Sequence, residues 1–404
     1  FHKVYTKFPL LHINGSAGQG KSLRKGTLVI KADGTREKIE NIVVGDKLLG
    51  PDGGVRNVLA LGRGQETMYE VIPVKGDSYF VNESHILSLK RSYPGSIRLS
   101  DGRRVGKEVD ILNVNVKVWS ESTAAAQKQF KGYRSNLVEF HRTQRTLSIP
   151  PYILGAWLGD GHSGSSALTK SRSTKLVEAW VAYGESLGHT VSEYVISPQC
   201  SRFTIVGSGL GKGSNKLTNK LAELNVLNNK HIPTDYLYAP AEDRLKLLAG
   251  LLDSDGSLAY GGYDWISKDQ TLAEDFAFLC RSLGLAAYIQ SCQKGIKSTG
   301  FVGNYWRVHV SGDCERIPCL DKKAPVRKQI KNALVTGLSF KKLEVEDYYG
   351  VVLDGDKLFL LGDFTVTHNT EMTLLMSNFH YYKQTPKMLT PTSTLFAVSY
   401  AAAG

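Results

Sequence analysis

The strongest constraint on this chain is a motif that starts near one end and finishes near the other. Gly15-Ser16-Ala17-Gly18-Gln19-Gly20-Lys21-Ser22 matches the phosphate-loop pattern GxxxxGK[ST], and Phe8-Pro9-Leu10-Leu11-His12-Ile13 before it reads as the short apolar strand such a loop follows. The loop must then open a helix whose N-terminus faces the phosphate. Instead Lys25-Gly26-Thr27-Leu28-Val29-Ile30 and Ala32-Asp33-Gly34-Thr35 read as strand and turn. The missing helix stands far downstream: the segment from Thr370 to Phe379 has apolar residues at helical spacing with Glu371 in its first turn. Joining Lys21 to Thr370 gives GSAGQGKTEMTLLMSNF, a complete loop and helix, so residues 22–369, 348 in all, read as an insertion.

The 404 residues are long enough for at least two cores, and 42% hydrophobic with 22% charged residues excludes a wholly disordered or collagen-like chain. A net charge of +12 suits a polyanionic partner, nucleic acid first among them. Cys200, Cys280, Cys292, Cys314 and Cys319 are an odd number without a CxxC pair, which predicts reduced thiols rather than a disulfide framework or zinc ribbon. No apolar run approaches eighteen residues and the first fifteen lack a signal-peptide pattern, so the expected setting is cytoplasmic, with no membrane partner.

The two ends of the insertion carry a resemblance. Ser22-Leu23-Arg24-Lys25-Gly26-Thr27-Leu28-Val29, the run from Lys38 to Leu49, and Asn82-Glu83-Ser84-His85 between strand-like stretches resemble the N-terminal blocks of inteins, self-splicing protein insertions. Tyr349-Gly350-Val351-Val352-Leu353-Asp354-Gly355 through His368-Asn369-Thr370 resembles the C-terminal blocks, which end in His-Asn followed by Cys, Ser or Thr. That resemblance implies roles. Ser22 attacks the Lys21 carbonyl to form an ester; a hydroxyl is a poorer nucleophile than a thiolate and needs more help from a base and an oxyanion stabiliser. His85 activates that first amide, imidazole being the acid–base group suited to neutral pH. Asn82, where the family usually has Thr, hydrogen-bonds the scissile peptide. Thr370 receives the acyl group, Asn369 cyclises to cleave its own peptide bond, and His368 polarises that carbonyl, all without a cofactor. Lys357 stands where many members have a histidine. Alone, His85 would read as a core or strand histidine and His-Asn-Thr as a turn.

Between these ends lie two similar segments, Ile153-Leu154-Gly155-Ala156-Trp157-Leu158-Gly159-Asp160-Gly161 and Leu248-Ala249-Gly250-Leu251-Leu252-Asp253-Ser254-Asp255-Gly256. Each reads as an apolar helix with a small residue permitting close approach, ending in a carboxylate and a glycine. The second resembles the eponymous motif of LAGLIDADG homing endonucleases. Two such helices about a pseudo-twofold would bring Asp160 and Asp255 together as a site for a hard divalent metal, Mg2+ by the resemblance, each serving one scissile phosphate. Lys230, in Asn229-Lys230-His231-Ile232-Pro233, resembles the charge partner near the cleaved phosphate, with Lys323 its expected counterpart and Lys322 nearly as good. Basic-polar alternation in 170–175, 201–204 and 305–309, and basic residues across 90–145, suit phosphate contacts.

The expectation is therefore a multidomain chain: host segments 1–21 and 370–404; an all-β, horseshoe-like Hint splicing domain from 22–135 and 335–369; and an α+β pseudo-twofold LAGLIDADG endonuclease from 136–334. It would act as a monomer on double-stranded DNA, the intein-free allele of a phosphate-loop NTPase gene. Two rivals stand beside it: live splicing with a degenerate endonuclease, and an ATP-binding phosphate-loop protein.

Overall fold

The computed structural model describes residues 22–209, 213–296, 301–326 and 331–369. The phosphate-loop residues, Lys21, Thr370 and the expected helix after it lie outside them. The chain divides into two compact units, one containing 22–135 with 335–369 and the other Asn136–Leu334.

The first unit is built on two long antiparallel strands, Val55–Pro73 and Leu338–Leu353, paired from Leu338 opposite Pro73 to Leu353 opposite Val58. Val58, Ala60 and Val71 are buried in an alternating pattern set by the twofold repeat of a strand. Short strands Leu23–Arg24 and Tyr79–Asn82 complete the same sheet, with Leu23 opposite both Tyr349 and Val81. The expected strand and turn after Ser22 are a hairpin: Leu28–Ile30 pairs with Arg36–Lys38 around Gly34, whose φ of +93° suits a residue without a Cβ. The core gathers Leu23, Val29, Leu48, Val81, Trp119 and Phe359. Two short helices, Val116–Ser120 and Ala124–Gln129, depart from an all-β description.

The second unit repeats one plan. Helix Pro151–Asp160 precedes strand Ala167–Lys170, helix Lys175–Ser186 and strands Thr190–Ser197 and Cys200–Val206. Helix Ala241–Asp255 precedes hairpin Ser257–Ala259/Gly262–Ser267, helix Gln270–Ser282 and strands Ala286–Ile296 and Phe301–Ser311. In both sheets the last strand lies between the strand before the helix and the strand after it. The two motif helices pack backbone to backbone: a Cβ on Gly155 would collide with the Leu247 carbonyl, and one on Gly250 with the Tyr152 carbonyl. Ile153 to Leu158 and Leu247 to Ser254 are all buried, which accounts for their apolar sequence. Among the described residues no helix is long and apolar enough to cross a membrane, and all five cysteines are free.

Candidate functional site

Strand Leu23–Arg24 seats Ser22 with no exposed surface, and its Oγ has no hydrogen-bond partner among the described residues. A buried hydroxyl without a partner is unfavourable for stability alone. Asn82, also fully buried, ends the neighbouring strand; its Oδ1 accepts from the Ser22 N–H at 2.7 Å and its own N–H donates to the Ser22 carbonyl at 3.2 Å. Asn82 Nδ2 donates to Glu66 Oε2 at 2.5 Å, and Glu66 Oε1 accepts from Ser84 Oγ at 2.6 Å.

The other end of the insertion enters the same unit. Strand Val366–His368 pairs with Leu358–Leu360, and Thr367 Oγ1 lies 2.9 Å from His85 Nε2. His85 thus links the two sets of blocks, whereas the contact to the Ser22 amide comes from Asn82. His368 Nδ1 is 2.6 Å from the Asn369 carbonyl oxygen; an oxygen of that kind only accepts, so Nδ1 holds the proton. Asn369 has no exposed surface, and its N–H donates to the Lys357 carbonyl at 2.8 Å. With its amide oriented to satisfy both ends, Nδ2 also donates to that carbonyl at 3.0 Å while Oδ1 accepts from the Leu353 N–H. Lys357 therefore contributes its backbone. Its φ of +66° aims the carbonyl, and the turn is anchored by Asp354 on Asn57 and by Asp356 on Arg56 Nε at 2.8 Å.

In the second unit Asp160 and Asp255 end the two motif helices. Lys170 Nζ donates to Asp160 Oδ2 at 2.5 Å and to the Ser254 carbonyl at 2.7 Å. Lys230 Nζ donates to the carbonyls of Gly159 and Gly161 at 3.0 and 2.7 Å, one residue either side of Asp160. Lys322 Nζ does the same around Asp255, donating to Ser254 and Gly256 at 2.6 and 2.7 Å. The counterpart of Lys230 is thus Lys322. Lys323, the expected one, is exposed, and the correction has a physical cause. Buried Asp253 accepts from the backbone N–H groups of Leu320, Asp321 and Lys322, at 2.6, 3.2 and 2.8 Å, and this brings residue 322 over the helix end.

These charges act on one another. Burial, then the Asp160 charge, pushes the Asp255 carboxyl up to about 6, although Lys230, Lys170 and Lys322 oppose the shift. Asp255 keeps an exposed edge toward a cavity of about 680 Å³ that Lys230, Asp264, Lys268, Lys294 and Tyr305 also line. Burial brings Lys230 down to about 8 and lowers Lys322 as well. Among the described residues no group of three or more His, Cys, Asp or Glu is placed to hold a metal. The carboxylate pair alone still suits a hard cation, because two like charges forced together at helix ends gain from positive charge between them. Sequence reasoning gave Lys170 only to phosphate contacts, and it missed Glu66, Thr367 and Asp253; their roles arise from pairings 10 to 282 residues apart.

Comparison with known proteins adds the following. The family model described as Hom_end-associated Hint matches residues 22–147. A replicative DNA helicase DnaB of Mycobacterium intracellulare is 29% identical over 60% of this chain and 39% of its own length. The catalytic subunit of a V-type proton ATPase from Candida tropicalis is 22% identical over 85% and 43%. The chain thus spans about two fifths of the length of these curated relatives. Among solved structures, a mesophilic variant of homing endonuclease I-DmoI is 13% identical over 41% of this chain and 88% of that one, with a TM-score of 0.28. The gp41-1 intein is 20% identical over 24% and 80%, with a TM-score of 0.16. The Hint match opens at Ser22, the residue where the phosphate-loop pattern breaks off, so residues 22–147 are similar to the Hint domains that accompany homing endonucleases.

Proposed function

We propose that the chain excises residues 22–369 and joins Lys21 to Thr370, and that Asn136–Leu334 cuts both strands of duplex DNA. The observation that carries the first part is the burial of Ser22 and Asn369, the two ends of the insertion, in one unit, where His85 and Thr367 connect the flanking segments. Ser22 Oγ attacks the Lys21 carbonyl, the C–N bond breaks, and the proton passes from oxygen to the freed Ser22 amine. Thr370 Oγ then takes the acyl group and releases Ser22 Oγ. Asn369 Nδ2 attacks its own carbonyl, which His368 Nδ1–H polarises; the Asn369–Thr370 bond breaks, leaving a succinimide on the excised segment. The freed Thr370 amine captures the ester, and a peptide bond results. Asn82 holds the amide of the upstream junction, and the Lys357 carbonyl holds the backbone N–H and the side-chain amide of Asn369. The host is a phosphate-loop NTPase, a reading that the helicase and ATPase relatives support.

The intact mass of the freshly expressed chain over several hours tests this. A 348-residue product with a joined partner is the expected result. A persistent 404-residue mass that Ser22→Cys does not convert to products would overturn the assignment of the junctions.

For the second unit the substrate is double-stranded DNA, with the intein-free host allele as target and the protein acting as a cytoplasmic monomer. Asp160 and Asp255 would hold the cation, Mg2+ in this reading, which when bound supplies Lewis acidity at the phosphate. Lys230 and Lys322 bring positive charge beside the two carboxylates. A pH dependence follows. Asp255 must be ionised to take the cation, and in the cation-free site it gains a proton as pH falls through about 6; Lys230 must be charged, which fails as pH rises through about 8. Initial cleavage rates should therefore fall at low pH, with the acid limb moving down as the cation concentration rises because proton and cation compete for Asp255, and fall again above about 8; a rate flat from about pH 5 to 9 at low cation concentration would remove both groups from the reaction.

A further inference from the structure

Glu66 touches neither junction, yet its two carboxylate oxygens are committed to the turn that does. It lies on strand Val55–Pro73, where Met68 pairs with Asn82, and this register places its side chain beside the Asn82 amide. Glu66 Oε2 accepts from Asn82 Nδ2 at 2.5 Å and Oε1 from Ser84 Oγ at 2.6 Å. The same turn is tied to the strand by the Glu83 N–H donating to the Thr67 carbonyl at 2.8 Å.

An asparagine amide has two ends alike in shape and opposite in hydrogen-bond sense. Turned over, Asn82 would set Nδ2 against the Ser22 N–H, donor against donor, and the 2.7 Å contact would be lost. An ionised carboxylate only accepts, so it selects the orientation with Nδ2 toward itself and Oδ1 toward Ser22. We propose that Glu66 is the positioning residue of the upstream junction, setting the Asn82 amide so that it holds the Ser22 N–H of the scissile bond. The inference rests on the reading of Lys21–Ser22 as that bond. It also gives Asn82 a mechanism in place of the family's usual Thr: an amide is held one way round because a fixed acceptor stands behind it.

The experiment uses the full chain and reads two reactions separately. Upstream cleavage is followed as release of residues 1–21 by hydroxylamine, which captures the Ser22 ester, and downstream cleavage as release of the segment from 370 through Asn369 cyclisation. Glu66→Ala should slow upstream cleavage about tenfold to a hundredfold, the scale of a lost charged hydrogen bond, and leave the downstream rate within about twofold. Glu66→Gln should recover most of the upstream rate with an unchanged pH profile, since Oε1 still accepts from Asn82 and Nε2 donates to Ser84. A group acting as a base would not be rescued by Gln. If Glu66→Ala misfolds and loses both reactions, Glu66→Met keeps the bulk without an acceptor and takes its place. Equal upstream rates in the parent and in the variant lacking the acceptor, or no rescue by Gln, overturn the proposal. Ser22→Ala separates the two levels: if it still releases residues 1–21 with hydroxylamine, the junction reading itself fails; if it blocks release while loss of the Glu66 acceptor does not, only the role of Glu66 fails.

Discussion

Asp160→Asn and Asp255→Asn should each lower double-strand cleavage by about a thousandfold, within the range expected for losing a group essential to the reacting centre. Asn nearly matches the carboxylate in shape, so the helix pair should persist and the loss should fall on chemistry rather than on folding. The pairing around the two residues predicts how the losses differ. Asp160 is bonded to Lys170, which also binds the Ser254 carbonyl of the other motif helix, whereas Asp255 is open to the cavity and raised to about 6 partly by Asp160. Removing the Asp160 charge takes away one cause of the raised Asp255 carboxyl and also one of the two cation ligands, so a higher cation concentration should restore part of its residual cleavage. Removing Asp255 should abolish the acid limb of the residual cleavage. The substrate is a supercoiled plasmid bearing the host gene joined at the Lys21 and Thr370 codons, with nicked and linear products counted separately. If each carboxylate serves one phosphate, both variants accumulate nicked circles, cut on opposite strands. Linear product formed at the parent rate by either variant would discard the paired-carboxylate mechanism.

The motif helices, their terminal carboxylates and Lys230 could be read from the sequence because each is encoded locally: an apolar helical run, a small residue and an Asp-Gly stop occupy nine consecutive positions. The strand and turn that displace the phosphate-loop helix were legible for the same reason. What escaped was set by register between distant strands. Glu66 meets Asn82 because Met68 lies opposite it, and Thr367 meets His85 across 282 residues. The choice between Lys322 and Lys323 depended on a carboxylate about 70 residues earlier, Asp253, which looked like one more letter of a motif. In the first motif that position is Leu158, so comparing the halves could have marked Asp253 as unusual without naming its partners. Lys357 shows another limit. Its side chain departs from the family pattern, but the contact to Asn369 is made by the backbone carbonyl, which any residue tolerating a positive φ would supply.

Gly155→Ala should destabilise Asn136–Leu334 by about 3 kcal/mol, the upper end of what one overpacked methyl group costs. The added Cβ would meet the Leu247 carbonyl and approach the Leu251 nitrogen to 2.9 Å, both backbone atoms that no rotamer change can move. Separating the helices to make room would loosen the contact between buried Ile153–Leu158 and Leu247–Ser254 along its whole length. Gly250→Ala meets the mirror situation, with the Tyr152 carbonyl and the Ala156 nitrogen in the way, and should cost a similar amount. The two changes share one contact, so the double variant should lose less than the sum. Chemical denaturation followed by the fluorescence of Trp157, Trp180 and Trp265, which are fully buried in this unit, reads the loss directly. The junction groups belong to the other unit, so splicing is expected to continue while DNA cleavage falls with the population of the folded helix pair. Wild-type stability in both alanine variants would mean that the helices do not pack through their glycines, and the convergence of Asp160 and Asp255 would lose its structural basis.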